Sequence, residues 1–71
     1  MSAKIIKLLV RQRDSKEFLE ANGGWTKREE SAYNFPNFLD AIHTTLEKGL
    51  ENIDVIVRRE GNPIDLCYRV N

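Results

Sequence analysis

The side chains best suited to nucleophilic chemistry are a single histidine, His43, and a single cysteine, Cys67. A neutral imidazole held beside a thiol can take its proton and generate a reactive thiolate. The spacing of the two residues gives no sign of such a pair, and Glu47 follows His43 at the distance of helical neighbours. We therefore interpret His43 as a half-exposed helix residue and Cys67 as a small apolar residue of a strand.

Carboxylates and glycines, the residues of metal and phosphate sites, occur without the spacing that such sites need. Glu29 with Glu30, and Asp54 with Asp65, lack the regular oxygen ligands and glycine hinge of calcium loops. The Asn-Gly-Gly run at 22–24 is too short to cradle a phosphate and is typical of a hairpin turn. One cysteine without a cluster of soft ligands provides neither a zinc site nor an intrachain disulfide. The sequence thus predicts a protein that is not an enzyme, with no catalytic residue, cofactor or metal.

The charge balance limits the partners of the chain. Eleven basic and eleven acidic side chains leave no net charge, whereas nucleic-acid-binding domains usually carry a basic excess or a basic stripe. Single-strand binding would also need aromatic side chains exposed on the sheet, and the apolar pattern sends them towards the core. An alternative function, nucleic-acid or anion binding, would use the basic residues of the first and third predicted strands, which are Lys7, Arg11, Arg13, Arg58 and Arg59.

Periodicity predicts the elements that hold these residues. Within residues 4–12 the even positions Ile6, Leu8 and Val10 are apolar and the odd positions are mixed, which indicates a strand. Residues 17–21 resume an extended pattern, which completes a first hairpin. Thr26 and Glu29 have the spacing of a helix capping box, so a short helical segment is expected from Lys27. Apolar residues at helical spacing predict an amphipathic helix over 36–48, and Gly49 supplies the left-handed residue at its end.

The last part of the sequence predicts a second hairpin and its register. Residues 53–59 and 64–70 alternate and flank the turn composition Glu-Gly-Asn-Pro at 60–63. With that loop, Arg58 faces Asp65, Asp54 faces Arg69, and Ile56 faces Cys67. Opposite charges then neutralise Arg58 and Arg69, which leaves Lys7 and Arg11 as the uncommitted basic residues of that face. A shift of one residue would turn the apolar set outward, so the pattern selects this register.

The elements together predict one α+β domain over residues 1–71. We expect a ββαββ order, a four-stranded largely antiparallel sheet with the helix on one face, and the first and third strands as parallel neighbours. Trp25 fits the core beside the turn, and an interface anchor stays open as its alternative role. The predicted core consists of Ile6, Leu8, Val10, Phe38, Leu39, Ile42, Leu46, Ile53, Val55, Val57, Leu66 and Tyr68.

A single helix covers one face of such a sheet and leaves the other for water or a partner. On that open face we expect an apolar strip bordered by charges, formed by Ile5, Leu9, Ile56 and Cys67. The strip predicts a protein-interaction or accessory module that self-associates as a homodimer, which would also stabilise so small a core. The N-terminal segment interrupts its apolar residues with charge, so neither a signal peptide nor a membrane span is expected, and we assign the chain to the cytoplasm.

A run of spaced residues resembles a pattern in short uncharacterised bacterial proteins. It comprises Gly24-Trp25-Thr26, then Ala32, Phe35 and Ala41, then Gly49-Leu50 and the strand from Val55. The resemblance covers most of the chain and implies a compact, free-standing bacterial domain of unassigned activity. It transfers no functional residues.

Overall fold

The computed structural model describes residues 4–71, in which one helix packs on one face of a five-stranded antiparallel sheet. Its elements are β1 (Ile5–Gln12), β2 (Phe18–Leu19), β3 (Trp25–Thr26), a 3-10 turn (Glu29–Ser31), α1 (Phe38–Glu47), β4 (Ile53–Arg59) and β5 (Leu66–Arg69). The strands lie in the order β3-β2-β1-β4-β5. The α+β class is confirmed, but the predicted strand number is wrong, because Trp25 and Thr26 form an additional strand beside β2.

The central strands β1 and β4 are antiparallel, not parallel as predicted. After β3 the chain travels back along β1, where the Phe35 N–H donates to Leu8 O at 2.9 Å and Asn34 Nδ2 donates to Ile6 O at 3.3 Å. The helix therefore begins beside the start of β1 and ends beside its far end. There the Arg13 N–H bonds Asn52 O at 2.7 Å, so the following strand must run in the opposite direction.

The helix contacts the sheet through its small residues. Ala41 and Thr45 are both fully buried, and Thr45 Oγ1 donates to Ala41 O at 3.0 Å, which satisfies the hydroxyl. Leu39 and Leu46 are 77% and 63% exposed, because the apolar stripe lies about a quarter of a turn away from the small face. Small side chains allow the helix to approach the sheet closely, and this determines which side faces inward.

The core prediction is therefore right for the strands and wrong for much of the helix. Buried as predicted are Leu8, Val10, Ile53, Val55 and Val57, while Ile42 and Leu66 are half-buried against them. The exposed members of the predicted core are Ile6, Phe38, Leu39, Leu46 and Tyr68. Leu19, Phe35 and Ala41 belong to the core although they are absent from the predicted set of core residues, and Trp25 packs half-buried against it.

The helix ends differ from each other in how well the sequence predicts them. At the C-terminus, Gly49 has a φ of 64° and the Leu50 N–H donates to Thr45 O at 3.0 Å, as a glycine C-cap requires. The helix starts at Phe38, not at 36, because Asn37 Oδ1 caps the Asp40 N–H. The capping box from Thr26 is wrong, since Thr26 Oγ1 accepts from the Arg28 N–H.

We expect Ala41→Leu to destabilise the fold by about 1–3 kcal/mol, because added methylenes would push the helix away from the sheet. Urea denaturation monitored by circular dichroism would measure this. The matched control is His43→Leu, which adds apolar bulk on the outer side of the same helix and should change stability by less than about 0.5 kcal/mol. Equal effects at both positions would contradict the close packing of Ala41.

Candidate functional site

The sheet face opposite the helix is covered by a network of ion pairs centred on Arg58. Its guanidinium donates to both carboxylate oxygens of Asp65, at 3.1 and 3.0 Å, and to both oxygens of Glu29. Glu29 comes from the 3-10 turn and also accepts from Lys7 Nζ at 3.4 Å. Hydrogen bonds from Arg58 hold the pKa of Glu29 and of Asp65 below the ordinary range. This network ties β1, β4, β5 and the segment after β3 together.

A second network surrounds Asp54, which is buried on the same face near the start of β4. Arg13 donates to Asp54 Oδ1 at 3.0 Å, and an Arg11 nitrogen lies 3.8 Å from the other carboxylate oxygen. Burial alone would raise the pKa of Asp54. The hydrogen bond and the positive charge of Arg13, with smaller contributions from Cys67 and Arg11, outweigh this effect of burial, so the pKa of Asp54 is lower than its ordinary value.

The cations proposed for anion binding are largely engaged. Lys7, Arg11, Arg13 and Arg58 each form an ion pair with Glu29, Asp54 or Asp65. Arg59 donates to Ile64 O at 3.3 Å. The sequence indicated Lys7 and Arg11 as the uncommitted cations of this face, and that is wrong. Lys7 pairs with Glu29 of the 3-10 turn, and Arg11 lies opposite Asp54 in the antiparallel β1–β4 pairing, which was not predicted.

The apolar strip expected on this face is not exposed. Leu9 is 1% exposed and Ile56 is 7% exposed, whereas Ile5 and Cys67 are accessible at separate places. Leu9 lies between Lys7 and Arg11 along β1 and faces Ile56 across the strands. The long side chains of such neighbours cover apolar residues with their alkyl parts while the charged ends meet their partners. The predicted interface of four residues is therefore corrected.

The register of the last hairpin is confirmed. Ile56 faces Cys67 and Val57 faces Leu66, and Arg58 bonds Asp65 as expected. Asp54 also lies opposite Arg69 in the strand register, but its carboxylate forms its ion pair with Arg13 and not with Arg69. Arg69 has no ion-pair partner within residues 4–71.

His43 and Cys67 are not brought together. His43 lies on the outer side of α1, where its Nε2 is 3.7 Å from a Glu47 oxygen and its side chain is exposed. Cys67 lies on the opposite face of the sheet, where an Arg11 nitrogen approaches its sulfur at 3.8 Å. No group of three or more potential metal-ligating side chains occurs among residues 4–71.

Four of the eight large apolar side chains that are exposed among residues 4–71 lie on α1 and on the β5 edge of the sheet, and the other four are Ile5, Ile6, Tyr33 and Ile64. The Phe38 and Tyr68 rings meet edge to face with centroids 5.3 Å apart, which shows that this side of the helix faces β5. Thr44 and Lys48, on the other side of the helix, line an open cleft beside β2. We define the helix-edge surface as Phe38, Leu39, Ile42, Leu46 and Tyr68. The apolar pattern of the sequence contains these residues, but their exposure follows from the rotation of the helix.

Comparison with known proteins adds no relative: no family model, curated protein or solved structure matches the chain. The resemblance to short bacterial proteins stays a prediction. No helix within the described residues 4–71 is long and apolar enough to cross a membrane.

The ion pairs predict acid sensitivity. Because the pKa values of Glu29, Asp54 and Asp65 are lowered by folding, their contribution to stability is complete above the unfolded values near 4 and is lost as the pH falls through the lower folded values. The urea midpoint should therefore be constant near neutrality and decline below about pH 4.

The substitution Asp54→Asn should cost about 1–3 kcal/mol at pH 7, because it leaves Arg13 without its anionic partner, and should weaken the acid dependence. Glu51→Gln, at an exposed residue outside both networks, is the control and should leave the profile unchanged. A pH profile of Asp54→Asn identical to that of the parent would contradict the role given to Asp54.

Proposed function

We propose that the chain is a non-enzymatic protein-interaction module, an accessory or regulatory subunit that binds its partner through the helix-edge surface. The observation that carries the proposal is the exposure of Leu39 and Leu46 beside the half-exposed Phe38 and Tyr68 pair. Single exposed apolar residues are ordinary, but several on one side of a helix next to a sheet edge are typical of interaction sites.

The chemistry of the surface supports a protein partner. Tyr68 and Phe38 offer aromatic area with few rotatable bonds, and such residues commonly anchor protein interfaces. Leu39 and Leu46 add aliphatic contacts that gain free energy only when water is removed from them. The lone Cys67, without an intrachain partner, is consistent with a reducing compartment such as the cytoplasm.

The second candidate, nucleic-acid or anion binding, is disfavoured by the engagement of the basic residues. Binding phosphates would require Lys7, Arg13 and Arg58 to leave carboxylates that they already contact. Released counterions would give such binding a steep salt dependence.

We expect the purified chain to elute from heparin, or from immobilised DNA, without retention at about 0.1 M salt, where screening is still moderate. The variant Glu29→Gln, which frees Lys7 and removes one partner of Arg58, is the comparison and should bind more strongly than the parent. Retention of the parent that falls steeply with salt would support the second candidate over the first.

The interaction proposal is tested by a photo-crosslinking amino acid placed at Leu39, on the helix-edge surface, and at Thr44, on the other side of the same helix beside the cleft next to β2. Illumination of cells that contain the chain should give protein adducts at 39 and few at 44, because only position 39 would lie in an interface. Adducts at neither position, or equal adducts at both, would overturn the proposal.

A further inference from the structure

The strand β5 presents unused hydrogen-bonding groups at the edge of the sheet. The Val70 N–H donates to Ile53 O at 2.9 Å, and groups alternate along an antiparallel strand, so Leu66, Tyr68 and Val70 point their backbone groups towards β4. The N–H and C=O of Cys67 and Arg69 therefore point away from the sheet. An edge of this kind pairs readily with another strand. The opposite edge, β3, is only two residues long.

The edge also carries complementary charges. Arg69 is exposed and unpaired in the part of the chain that the structure describes, because Arg13 holds the carboxylate that faces it. Asp65, directly before β5, keeps 29% of its side chain exposed while it bonds Arg58. A carboxylate has lone pairs for more than one donor, so Asp65 can accept from a further guanidinium.

We infer that the occupant of the helix-edge surface is a second copy of this chain, joined to the first by antiparallel pairing of the two β5 strands about a twofold axis. The inference rests on the proposed function and names its partner. In the register that we infer, Cys67 faces the partner's Cys67 on the axis, Leu66 faces the partner's Tyr68, and Asp65 faces the partner's Arg69.

This register satisfies every group on the edge at once. The outward N–H and C=O groups of Cys67 meet those of the partner's Cys67, and those of Arg69 meet the backbone beside the partner's Asp65. The twofold axis makes each contact occur twice, so two ion pairs form between Asp65 and Arg69 of different copies, and two apolar pairs form between Leu66 and Tyr68. A shift by one step, with Tyr68 facing the partner's Tyr68, would place Asp65 opposite the partner's Asn71 and lose both ion pairs. Charge complementarity therefore selects the first register.

The pairing also accounts for the helix-edge surface. Leu66 and Tyr68 lie on the helix face of the sheet, so joining the β5 strands brings the apolar sides of the two α1 helices towards each other. Because α1 lies over β1 and β4, the two helices would be about 19 Å apart above a continuous sheet of ten strands, twice the five of one copy. Phe38 and Tyr68 of both copies would lie between them, with Leu39 and Leu46 along the sides of that space. A twofold contact between identical patches is the commonest form of soluble assembly.

The test is a charge exchange measured by sedimentation velocity at high micromolar concentration. The parent chain should be a dimer. Asp65→Arg alone, and Arg69→Asp alone, each place like charges in both rungs and should weaken dimerisation by at least about tenfold. An equal mixture of the two variants restores opposite charges in both rungs and should again form a dimer. A parent chain that remains monomeric, or a mixture that stays monomeric while both variants melt cooperatively, would overturn the inference.

The register has an independent test that does not disturb Asp65 and its bond to Arg58. Cα atoms of a hydrogen-bonded antiparallel pair lie about 5.5 Å apart, within the range of a disulfide. Mild oxidation of the parent should therefore give a dimer linked through Cys67. The control is Cys67→Ser combined with Tyr68→Cys, whose thiols lie apart in this register and face each other in the shifted one. Stronger crosslinking of the control than of the parent would overturn the register.

These outcomes distinguish a failure of the dimer inference from a failure of the proposed interaction function on which it rests. If the chain is a monomer but position 39 photo-crosslinks to a different protein, the second copy is wrong and the interaction surface stands. If position 39 gives no adduct and the chain is a monomer, both fail.

Discussion

The contact of Ala41 and Thr45 with the sheet is the constraint on which the surface of this protein depends. Small side chains bring the helix close to β1 and β4, and this determines its rotation about its own axis. Once the small face is inward, the larger apolar side chains must point sideways. Phe38 meets Tyr68 at the edge of the sheet, and Leu39 and Leu46 reach water. The proposed interface is thus a consequence of packing elsewhere in the molecule.

The opposite face of the sheet is closed by electrostatics. Arg58 joins two carboxylates from different segments, and Asp54 is held by Arg13 although burial opposes its charge. A buried or half-buried ion that loses its partner is costly, so these groups are not free to bind a phosphate. Leu9 and Ile56 lie beneath them and are inaccessible. The helix side of the β5 edge, by contrast, keeps the apolar area of Leu39, Leu46 and Tyr68 exposed for a partner.

Local patterns in the sequence correctly predicted the features that are determined within a single hairpin or a single turn of helix. The register of β4 with β5 follows from alternation around a short loop, and the end of the helix follows from Gly49. The direction of β4 could not be predicted from a local pattern, because it depends on where the segment after β3 attaches to β1 through Asn34 and Phe35. No periodicity marks that attachment.

The same distinction explains the errors at the candidate site. The largest apolar residues of a helix usually mark its buried side, and here two small residues do so instead. The pairing of Lys7 and Arg58 with Glu29 joins residues far apart in the chain, so the sequence left Lys7 unpaired and placed Leu9 on an open strip. Burial of Leu9 and Ile56, and exposure of the helix-edge surface, both follow from contacts over long sequence separations.

Amide hydrogen exchange of β5 by NMR, at dilute and at high protein concentration, tests the central claim most directly. Within one copy the Leu66 and Tyr68 N–H groups are bonded to β4, whereas those of Cys67 and Arg69 point outward. The account predicts that Leu66 and Tyr68 are protected at both concentrations and that protection of Cys67 and Arg69 rises with concentration. Free exchange of Cys67 and Arg69 at every concentration would contradict it.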